Sequence, residues 1–448
     1  MIHRYKQQGY NIVIDVNSGA IHNVDDLVFD ILEYFTVVHA GGKVFSPPKE
    51  LEAKYMAADI DEAVQEIRQL IEDGLLFSAE NFEWAAALKG DAPLKAICLH
   101  VAHDCNLRCG YCFAGEGEYA GKRALMPAET GMRAIDFLVE NSRGRRELEV
   151  DFFGGEPLMN FDVVKQTVAY ARTLEGLHDK RFRFTITTNG ILLNDDIERY
   201  INEEMYNVVL SLDGRKHVND CMRRTLGTGS CYDTVVPKFQ SLIRARGGKS
   251  LYLRGTFTRN NLDFADDVLH MHNLGFDNVS VEPVVADANE SFAIRKEDLP
   301  RIFEEYDNIA NKIQTRDSLN FFHFNIDLNG GPCVIKRLTG CGAGTEYLAV
   351  TPEGDVYPCH QFVGREDFRM GSLEEGIIDI SLRDEISRLN VYTKPDCCEC
   401  WAKFHCGGGC HANSLTYGGS LGATYRIGCD MHRKRIECAI AMHVIRNE

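Results

Sequence analysis

The chain has 448 residues, which is enough for two to four domains of ordinary size and for a large hydrophobic core. Hydrophobic residues make up 44% and charged residues 26%, as in globular proteins, and the lack of any apolar run of about 18 residues excludes a membrane-spanning protein. The formal net charge of −17 argues against nonspecific binding to nucleic acid, because phosphate recognition needs a basic face.

The N-terminal segment, residues 1–85, predicts a small module of its own. Its polar start shows no targeting signal, so we expect a cytoplasmic protein. Alternating apolar residues around a turn at 10–24 predict a hairpin. A helix should begin at a cap formed by Asp25 or Asp26, a second should begin at the proline pair at Pro47, and a third should span 59–74. The prediction is a hairpin followed by these helices.

Residues 86–325 predict an α/β domain, because β-rich runs alternate with amphipathic helices. Such alternation gives a parallel sheet, here a partial (β/α)6 barrel. Chemistry in these folds gathers at the carboxyl ends of the strands, where the unusual residues of this segment also lie. The predicted strands are 96–101, 148–153, 183–188, 207–212, 250–258 and 278–284, and the unusual groups are Cys105, 154–157, 187–190 and 211–214.

The C-terminal segment, residues 326–448, is rich in cysteine and glycine. A hairpin signal lies at 347–357, around a Pro-Glu-Gly-Asp turn that begins at Pro352. We expect bound metal, rather than a large core, to hold this region together.

The chain contains 16 cysteines, and metal binding is the leading explanation because the reducing cytosol disfavours disulfides. Cys105, Cys109 and Cys112 form a Cys-x3-Cys-x2-Cys loop after the first barrel strand. Three thiolates can hold three irons of a 4Fe–4S cluster and leave the fourth iron open for a small molecule. The alternatives are buried thiols or a zinc site, but a closed structural zinc site uses four ligands.

This loop, followed by Phe113, resembles the signature of the radical S-adenosylmethionine (SAM) enzymes. The resemblance implies that the three cysteines hold the catalytic cluster and that Phe113 and residues at the next strand ends contact SAM. Glycines let backbone carbonyls approach an ammonium group, and a carboxylate complements its charge. Each of these residues, taken alone, also fits an ordinary turn or a solvated arginine. The implied contacts are Gly154, Gly155, Glu156 and Pro157 for the methionine ammonium, Thr187, Asn189, Ser211 and Asp213 for the ribose and amino-acid part, and Arg223 for the carboxylate.

The C-terminal cysteines follow a second spacing. Cys341 is followed by twelve residues, a glycine, four residues and Cys359, and a Cys-x2-Cys-x5-Cys-x3-Cys run begins at Cys397. The pattern resembles the SPASM extension of peptide-modifying radical SAM enzymes, which implies two auxiliary 4Fe–4S clusters and three in all. A zinc ribbon on the first two cysteines of that run is the alternative. The resemblance assigns Cys341, Cys359 and Cys410 to one cluster, here called the near group, and Cys397, Cys400, Cys406 and Cys429 to the other, the far group.

These two groups are one cysteine short. Two clusters bound only by protein need about eight thiolates, and the pattern offers seven. Sulfatase-maturing relatives place the eighth ligand where this chain has Tyr347, so we expect the near cluster to have an open iron. Alternatively, Cys333, Cys398 or Cys438 could supply the eighth ligand and close this iron site. Each of these cysteines could equally be a buried residue that packs like a small hydrophobic side chain.

The N-terminal module resembles the winged-helix peptide-recognition element that binds leader sequences of ribosomally made peptides. Such elements capture an extended peptide at a sheet edge. A DNA-binding winged helix is the alternative, but Asp59, Asp61 and Glu62 begin the third helix with acids in place of a basic recognition surface.

Together, the three segments most resemble the maturases of precursor peptides that carry six cysteines in forty-five residues. The resemblance implies a cysteine-rich precursor peptide as partner, a low-potential flavodoxin or ferredoxin as electron donor, and thioether formation between cysteine sulfur and a carbon of another residue. SAM cleavage would supply the 5′-deoxyadenosyl radical that takes hydrogen from that carbon. We expect no nucleic-acid or membrane partner.

Two other functions stay open at this point. Formylglycine formation on sulfatases is the enzymatic alternative, and it is opposed by Tyr347, by the extra leader element, and by His360, which stands where those relatives carry an aspartate base. A multicluster electron carrier is the non-enzymatic alternative. It would need no SAM pocket, so the Gly-Gly-Glu-Pro stretch argues against it.

Overall fold

A large sheet runs through the centre of the molecule and carries the strands predicted for the barrel. The structure is a computed structural model that describes residues 1–35, 47–80, 92–119, 121, 123–316, 318–326, 328 and 334–447. The predicted boundary at residue 85 lies outside these residues, and the division into three domains stays a prediction. None of the described helices is long and apolar enough to cross a membrane.

The N-terminal module is an antiparallel sheet that packs against the helices following it. Its elements are β1 (Ile2–Gln7), β2 (Tyr10–Asp15), β3 (Ile21–Val24), α1 (Asp26–Tyr34), α2 (Lys49–Lys54) and α3 (Ala57–Glu72). The predicted hairpin is present as β2 and β3, and Asp25 caps α1 by accepting a hydrogen bond from the Val28 N–H at 2.8 Å.

The strand β1 was not predicted, so the expected hairpin followed by helices is incomplete. Its sequence contains His3, Arg4 and Lys6, which hide the apolar alternation typical of a strand. β1 forms because it pairs with β2 along its whole length, from Ile2 opposite Asp15 to Gln7 opposite Tyr10. The sheet order is therefore β1-β2-β3, which leaves β1 and β3 at the two edges.

The barrel strands are parallel, and strands that follow one another in the chain are neighbours in the sheet. Buried residues alternate with more accessible ones, since one face packs against helices and the other lines the interior. The predicted α/β partial barrel is thus confirmed. The barrel strands are β4 (Ala96–His103), β7 (Glu147–Gly154), β8 (Arg181–Thr188), β9 (Met205–Ser211), β11 (Leu251–Phe257) and β12 (Asn278–Pro283), and shorter strands are β5 (Leu107–Cys109), β6 (Ala124–Leu125), β10 (Arg223–Thr225) and β13 (Asn320–Phe321).

The helices of the barrel surround the sheet and complete its core. They are α4 (Ala128–Asn141), α5 (Phe161–His178), α6 (Asp195–Glu204), α7 (Lys216–Met222), α8 (Cys231–Arg246), α9 (Phe264–Asn273) and α10 (Leu299–Ile313).

The cysteine-rich region continues the barrel sheet. Its predicted hairpin is present as β14 (Tyr347–Val350) and β15 (Asp355–Tyr357), and β14 pairs in parallel with β4. Beyond the hairpin the chain forms short strands and helices, and ends in a long helix. These are β16 (Gly371–Ser372), β17 (Gly376–Ile377), α11 (Val334–Thr339), α12 (Ile380–Arg388), α13 (Pro395–Cys398), α14 (Lys403–Cys406), α15 (His411–Gly418) and α16 (Arg426–Arg446).

The N-terminal module packs against this C-terminal region. Ile12 and Ile14 pack in one buried cluster with Ile436 and Ile440 of α16. The Tyr5 hydroxyl donates a hydrogen bond to the Glu437 carbonyl at 2.9 Å. Removal of the module would expose this apolar surface, so the module and the C-terminal helix stabilise each other.

Candidate active site

The first cysteine loop leaves the end of β4 and is braced by β10. β5 pairs with β10 so that Cys109 lies opposite Arg223. Burial, with a smaller contribution from the neighbouring Cys112 thiol, raises the pKa of Cys105 to about 11 and that of Cys109 to about 12. The Arg223 cation opposes this effect at Cys109. Three converging thiols beside a cation suit an iron–sulfur cluster, whose ligands are thiolates.

Two glycines at the end of β7 bring the next motif into contact with this loop. A Cβ at Gly154, whose φ is +120°, would lie 2.3 Å from the Ala102 carbonyl oxygen, and one at Gly155 would lie 2.1 Å from that of Asp104. The Gly155 N–H instead donates to the Ala102 oxygen at 2.7 Å. Only glycine allows this approach, which fixes the Gly-Gly-Glu-Pro stretch against the residues that precede Cys105.

Glu156 is buried and bonded within the protein. Its carboxylate accepts hydrogen bonds from the Thr188 hydroxyl at 2.7 Å and from the backbone N–H groups of Asn189 at 2.8 Å and Leu158 at 3.0 Å. Burial raises its pKa to about 7, against the effect of these donors. Pro157 then begins a short 3-10 turn. The carboxylate therefore ties the end of β7 to the end of β8.

The end of β8 reaches the cysteine loop as well. The Asn189 side-chain amide donates to the Asn106 Oδ1 at 2.8 Å and lies 3.7 Å from the Cys105 Sγ. Thr187 and Ser211 are half-buried, on the strand faces that line the barrel. Sequence reasoning placed Thr188 in the unusual group 187–190 but gave it no role, and it gave none to Asn106.

Asp213 and Arg223 form a buried ion pair. Arg223 Nε donates to Asp213 Oδ1 at 3.1 Å, the Thr256 N–H donates to the same oxygen at 3.0 Å, and the Tyr111 hydroxyl donates to Oδ2 at 2.6 Å. Asp213 is fully buried. Direct contact of either side chain with SAM stays a prediction, and in this structure Asp213 holds Arg223 and Tyr111 in place. Tyr111, inside the cysteine motif, was not predicted.

Phe113 links the first loop to the near group. Its side chain is 58% exposed. The ring lies 5.7 Å from the ring of His360, the residue after Cys359, and the ring of Phe153 lies 5.1 Å from the same imidazole. Burial lowers the pKa of His360 to about 4, so this side chain is neutral near pH 7.

The members of the near group are far apart in the chain but interact in the fold. Cys359 follows β15, and Cys410 immediately precedes α15. Burial and the nearby thiols of Cys410 and Cys341 raise the pKa of the Cys359 thiol to about 12. These interactions agree with a common site for the three thiols, and their binding of one cluster stays a prediction.

The far group also interacts in the fold: Cys397, Cys406 and Cys429 lie on α13, α14 and α16, and Cys400 lies between α13 and α14. Burial, with contributions from the other three thiols, raises the pKa of Cys397 to about 12. Among the residues that the structure describes, no three His, Cys, Asp or Glu side chains are arranged to hold a single metal ion.

Tyr347, which stands at the sequence position expected of an eighth ligand, lies near Cys359 of the near group. Its phenol is hydrogen-bonded to the Cys98 thiol and close to Cys359, and burial raises the pKa of Tyr347 well above its ordinary value. Cys398 donates to the Tyr392 carbonyl at 2.9 Å, and the Cys438 Sγ lies 3.4 Å from the Asp307 Oδ1. These two cysteines thus point elsewhere, and Cys333 lies outside the described residues.

The interior of the barrel also carries a polar cluster that the sequence did not reveal. Arg435 donates to the His323 Nδ1 at 2.8 Å and lies 3.7 Å from Glu282. Burial opposes ionisation of Glu282, but His323, Arg435 and Arg254 hold its pKa below the usual range. Arg254 is exposed to the interior space. A peptide entering the barrel would meet these charges.

Comparison with known proteins matches two regions of the chain. The Radical SAM superfamily matches residues 99–246, and the SPASM iron–sulfur cluster-binding domain matches residues 341–402. The radical SAM cyclopropyl synthase TigE of Paramaledivibacter caminithermalis is 23% identical over 363 residues, which cover 76% of this chain and 72% of that protein.

Two solved structures share the fold. One is anSMEcpe with bound AdoMet, with a TM-score of 0.67 and 17% identity over 79% of this chain and 99% of that one. The other is SuiB of Streptococcus suis bound to the precursor peptide SuiA, with a TM-score of 0.55 and 19% identity over 94% of this chain and 97% of that one.

Gly155→Ala tests the contact between the two motifs. The new Cβ would meet the Asp104 carbonyl at 2.1 Å, so backbone must move, and we expect a loss of about 1–3 kcal/mol in the free energy of unfolding. Urea denaturation measures it, and SAM cleavage should fall at the same time.

The matched control is Gly176→Ala in α5, where a Cβ meets nothing within 4 Å. This change should stabilise the helix by about 0.5–1 kcal/mol. A Gly155→Ala protein as stable and as active as the control would contradict the close-contact account.

Proposed function

We propose that this chain, a radical SAM enzyme with a C-terminal SPASM domain, joins cysteine sulfur to a carbon of another residue in a ribosomally made, cysteine-rich precursor peptide. The observation that supports the proposal is that Cys359 interacts with Cys341 and Cys410, and that Tyr347, at the sequence position where the resemblance expects a further thiol, lies near Cys359. Such a site offers one position to a sulfur ligand from the substrate.

Each cofactor has residues that fit it. Cys105, Cys109 and Cys112 would hold the first 4Fe–4S cluster, beside the glycine stretch at the ends of β4 and β7. When bound, this cluster and SAM supply the hydrogen-abstracting 5′-deoxyadenosyl radical. Asn189 braces the loop, and the Arg223–Asp213 pair keeps a fixed cation beside Cys109. The near and far groups would hold two further clusters, making three, and a low-potential flavodoxin or ferredoxin would donate the electrons.

The near group is suited to a substrate thiolate. A metal ion lowers the pKa of a coordinating thiol until it is deprotonated, so no side-chain base is needed at the sulfur. Tyr347 stays protonated, because burial strongly disfavours the phenolate and its hydroxyl bonds Cys98. A neutral phenol would not act as the fourth ligand of a cluster held by the near group, so that position would stay available to a substrate thiolate.

The N-terminal module would bind the leader of the precursor. β3 lies at the edge of the module's sheet, and an extended peptide can add there as a further strand. Because β1 and β2 pack on α16, the module is held at a fixed position relative to the near and far groups. SuiB, which shares the fold over most of the chain, was solved with a precursor peptide.

Replacing Cys105, Cys109 and Cys112 together by Ala tests the catalytic cluster. The anaerobically reconstituted wild type should hold about twelve irons and the variant about eight, since one cluster of about four is lost. Deoxyadenosine formation should stop. Cys221→Ala, at an exposed cysteine outside all three groups, is the control and should keep both. Persistent SAM cleavage in the triple variant would disprove the assignment.

Tyr347→Cys tests the open position, because it supplies the missing eighth thiol. We expect the iron content and deoxyadenosine formation to persist while cross-linking falls at least about tenfold, since a protein thiolate now occupies the substrate's place. Iron-sensitive spectra should no longer change when a cysteine peptide is added.

Tyr347→Phe is the matched control, since it removes the hydrogen bond to Cys98 and adds no ligand. Its spectra should respond to the cysteine peptide and not to the serine analogue, as in the wild type. Wild-type cross-linking by the Tyr347→Cys protein, with its cysteine bound to iron, would rule out sulfur coordination at this site.

Hydrogen exchange on the full chain tests leader binding. The leader alone should slow exchange of the β3 amides at Ile21–Val24, because an added strand shields that edge. A scrambled leader should leave them unchanged. Protection confined to the barrel strands would remove leader recognition from this module.

A further inference from the structure

One buried lysine lies between the two auxiliary groups. Lys394, at the start of α13, is 0% exposed. Its ammonium donates a hydrogen bond to the Gly408 carbonyl at 2.9 Å and faces the His411 Nδ1 at 3.5 Å. An ammonium group has three donors, so one remains for another acceptor.

Thiols from both the near and the far group interact with the Lys394 ammonium. Cys397, Cys406 and Cys429 of the far group and Cys410 of the near group raise the pKa of Lys394, while burial, the larger effect, lowers it. In return Lys394 lowers the pKa of Cys397 and of Cys410, one from each group. Its hydrogen bond to Gly408, which lies between Cys406 and Cys410 in the chain, places the ammonium beside a segment that carries one thiol of each group.

No carboxylate lies within ion-pair distance of Lys394 among the residues that the structure describes. The other fully buried lysine of this region differs in this respect, since Lys403 pairs with Glu80 and donates to the Cys398 carbonyl at 3.0 Å. A buried charge without a counterion is strongly unfavourable. The thiols of the two cysteine groups are the acidic groups that interact with Lys394 among the described residues.

Building on the proposed function, we propose that Lys394 is a shared positioning cation that makes both auxiliary clusters easier to reduce. A reduced cluster carries one more negative charge than the oxidised one, and a nearby cation in a site of low dielectric constant favours that state. The hydrogen bond to Gly408 places the cation under the Cys406–Cys410 segment, which contributes one thiol to each group. One side chain thus acts on both clusters.

A redox titration followed by electron paramagnetic resonance tests whether Lys394 raises the reduction potentials of the two auxiliary clusters. The protein is the full chain with Cys105→Ala, Cys109→Ala and Cys112→Ala, so that only the auxiliary clusters contribute to the signal. Lys394→Gln keeps a donor for Gly408 and removes the charge. We expect the reduced-to-oxidised ratio of both clusters at a fixed ambient potential to fall about tenfold, a shift of about 59 mV to more negative values. Lys394→Arg should restore the wild-type potentials, and Lys403→Gln should leave them unchanged.

Two results would overturn the inference. In the first, Lys394→Gln retains about eight irons with unchanged potentials. In the second, it loses the irons, which would make Lys394 a clamp for the Cys406–Cys410 segment. If the background protein with Lys394 intact does not hold about eight auxiliary irons, the proposed function itself fails, whatever the lysine variants show.

Discussion

The pairing of β14 with β4 is the contact on which the arrangement of the site depends. Ala349 lies opposite Cys98, and Val350 opposite Leu99, so the C-terminal hairpin becomes part of the barrel sheet. β4 leads into the first cysteine loop, and the hairpin leads into Cys359 and His360. Through this pairing, the imidazole of His360 comes within 5.7 Å of the Phe113 ring. Two cysteine motifs separated by more than half the chain therefore border one interior space.

Glycine contacts and buried polar groups then fix the details. Gly154 and Gly155 permit β7 to close on the residues before Cys105, and Glu156 carries the connection on to β8. Opposite them, Asp213 holds Arg223 against the cysteine loop. Because each of these groups is bonded to a neighbouring strand end, the loop is prearranged, and a cluster bound there would lie in a fixed position relative to the near group.

The sequence predicted features that depend on local spacing. The loop from Cys105 to Cys112 follows from residues close together in the chain, and the barrel strands follow from regular alternation, whereas the near and far groups rest on the resemblance of the cysteine pattern to the SPASM extension. Features that depend on distant partners were missed. β1 is polar and forms a strand only by pairing with β2. The packing of the N-terminal module against α16 depends on Ile436 and Ile440, near the other end of the chain. Likewise, the bonds from Tyr347 to Cys98 and from Lys394 to Gly408 carry no sequence pattern.

The central claim, thioether formation on a precursor peptide, is tested most directly by mass spectrometry. A cysteine-rich precursor peptide encoded beside the gene for this chain is incubated anaerobically with the reconstituted enzyme, SAM and reductant, and its mass is then measured. The account predicts a product that has lost two hydrogen atoms for each bridge, with the bridged cysteines no longer alkylated and fragment ions that locate sulfur on the carbon of another residue. A product in which every cysteine is still alkylated, or in which cysteine has become formylglycine, would contradict it.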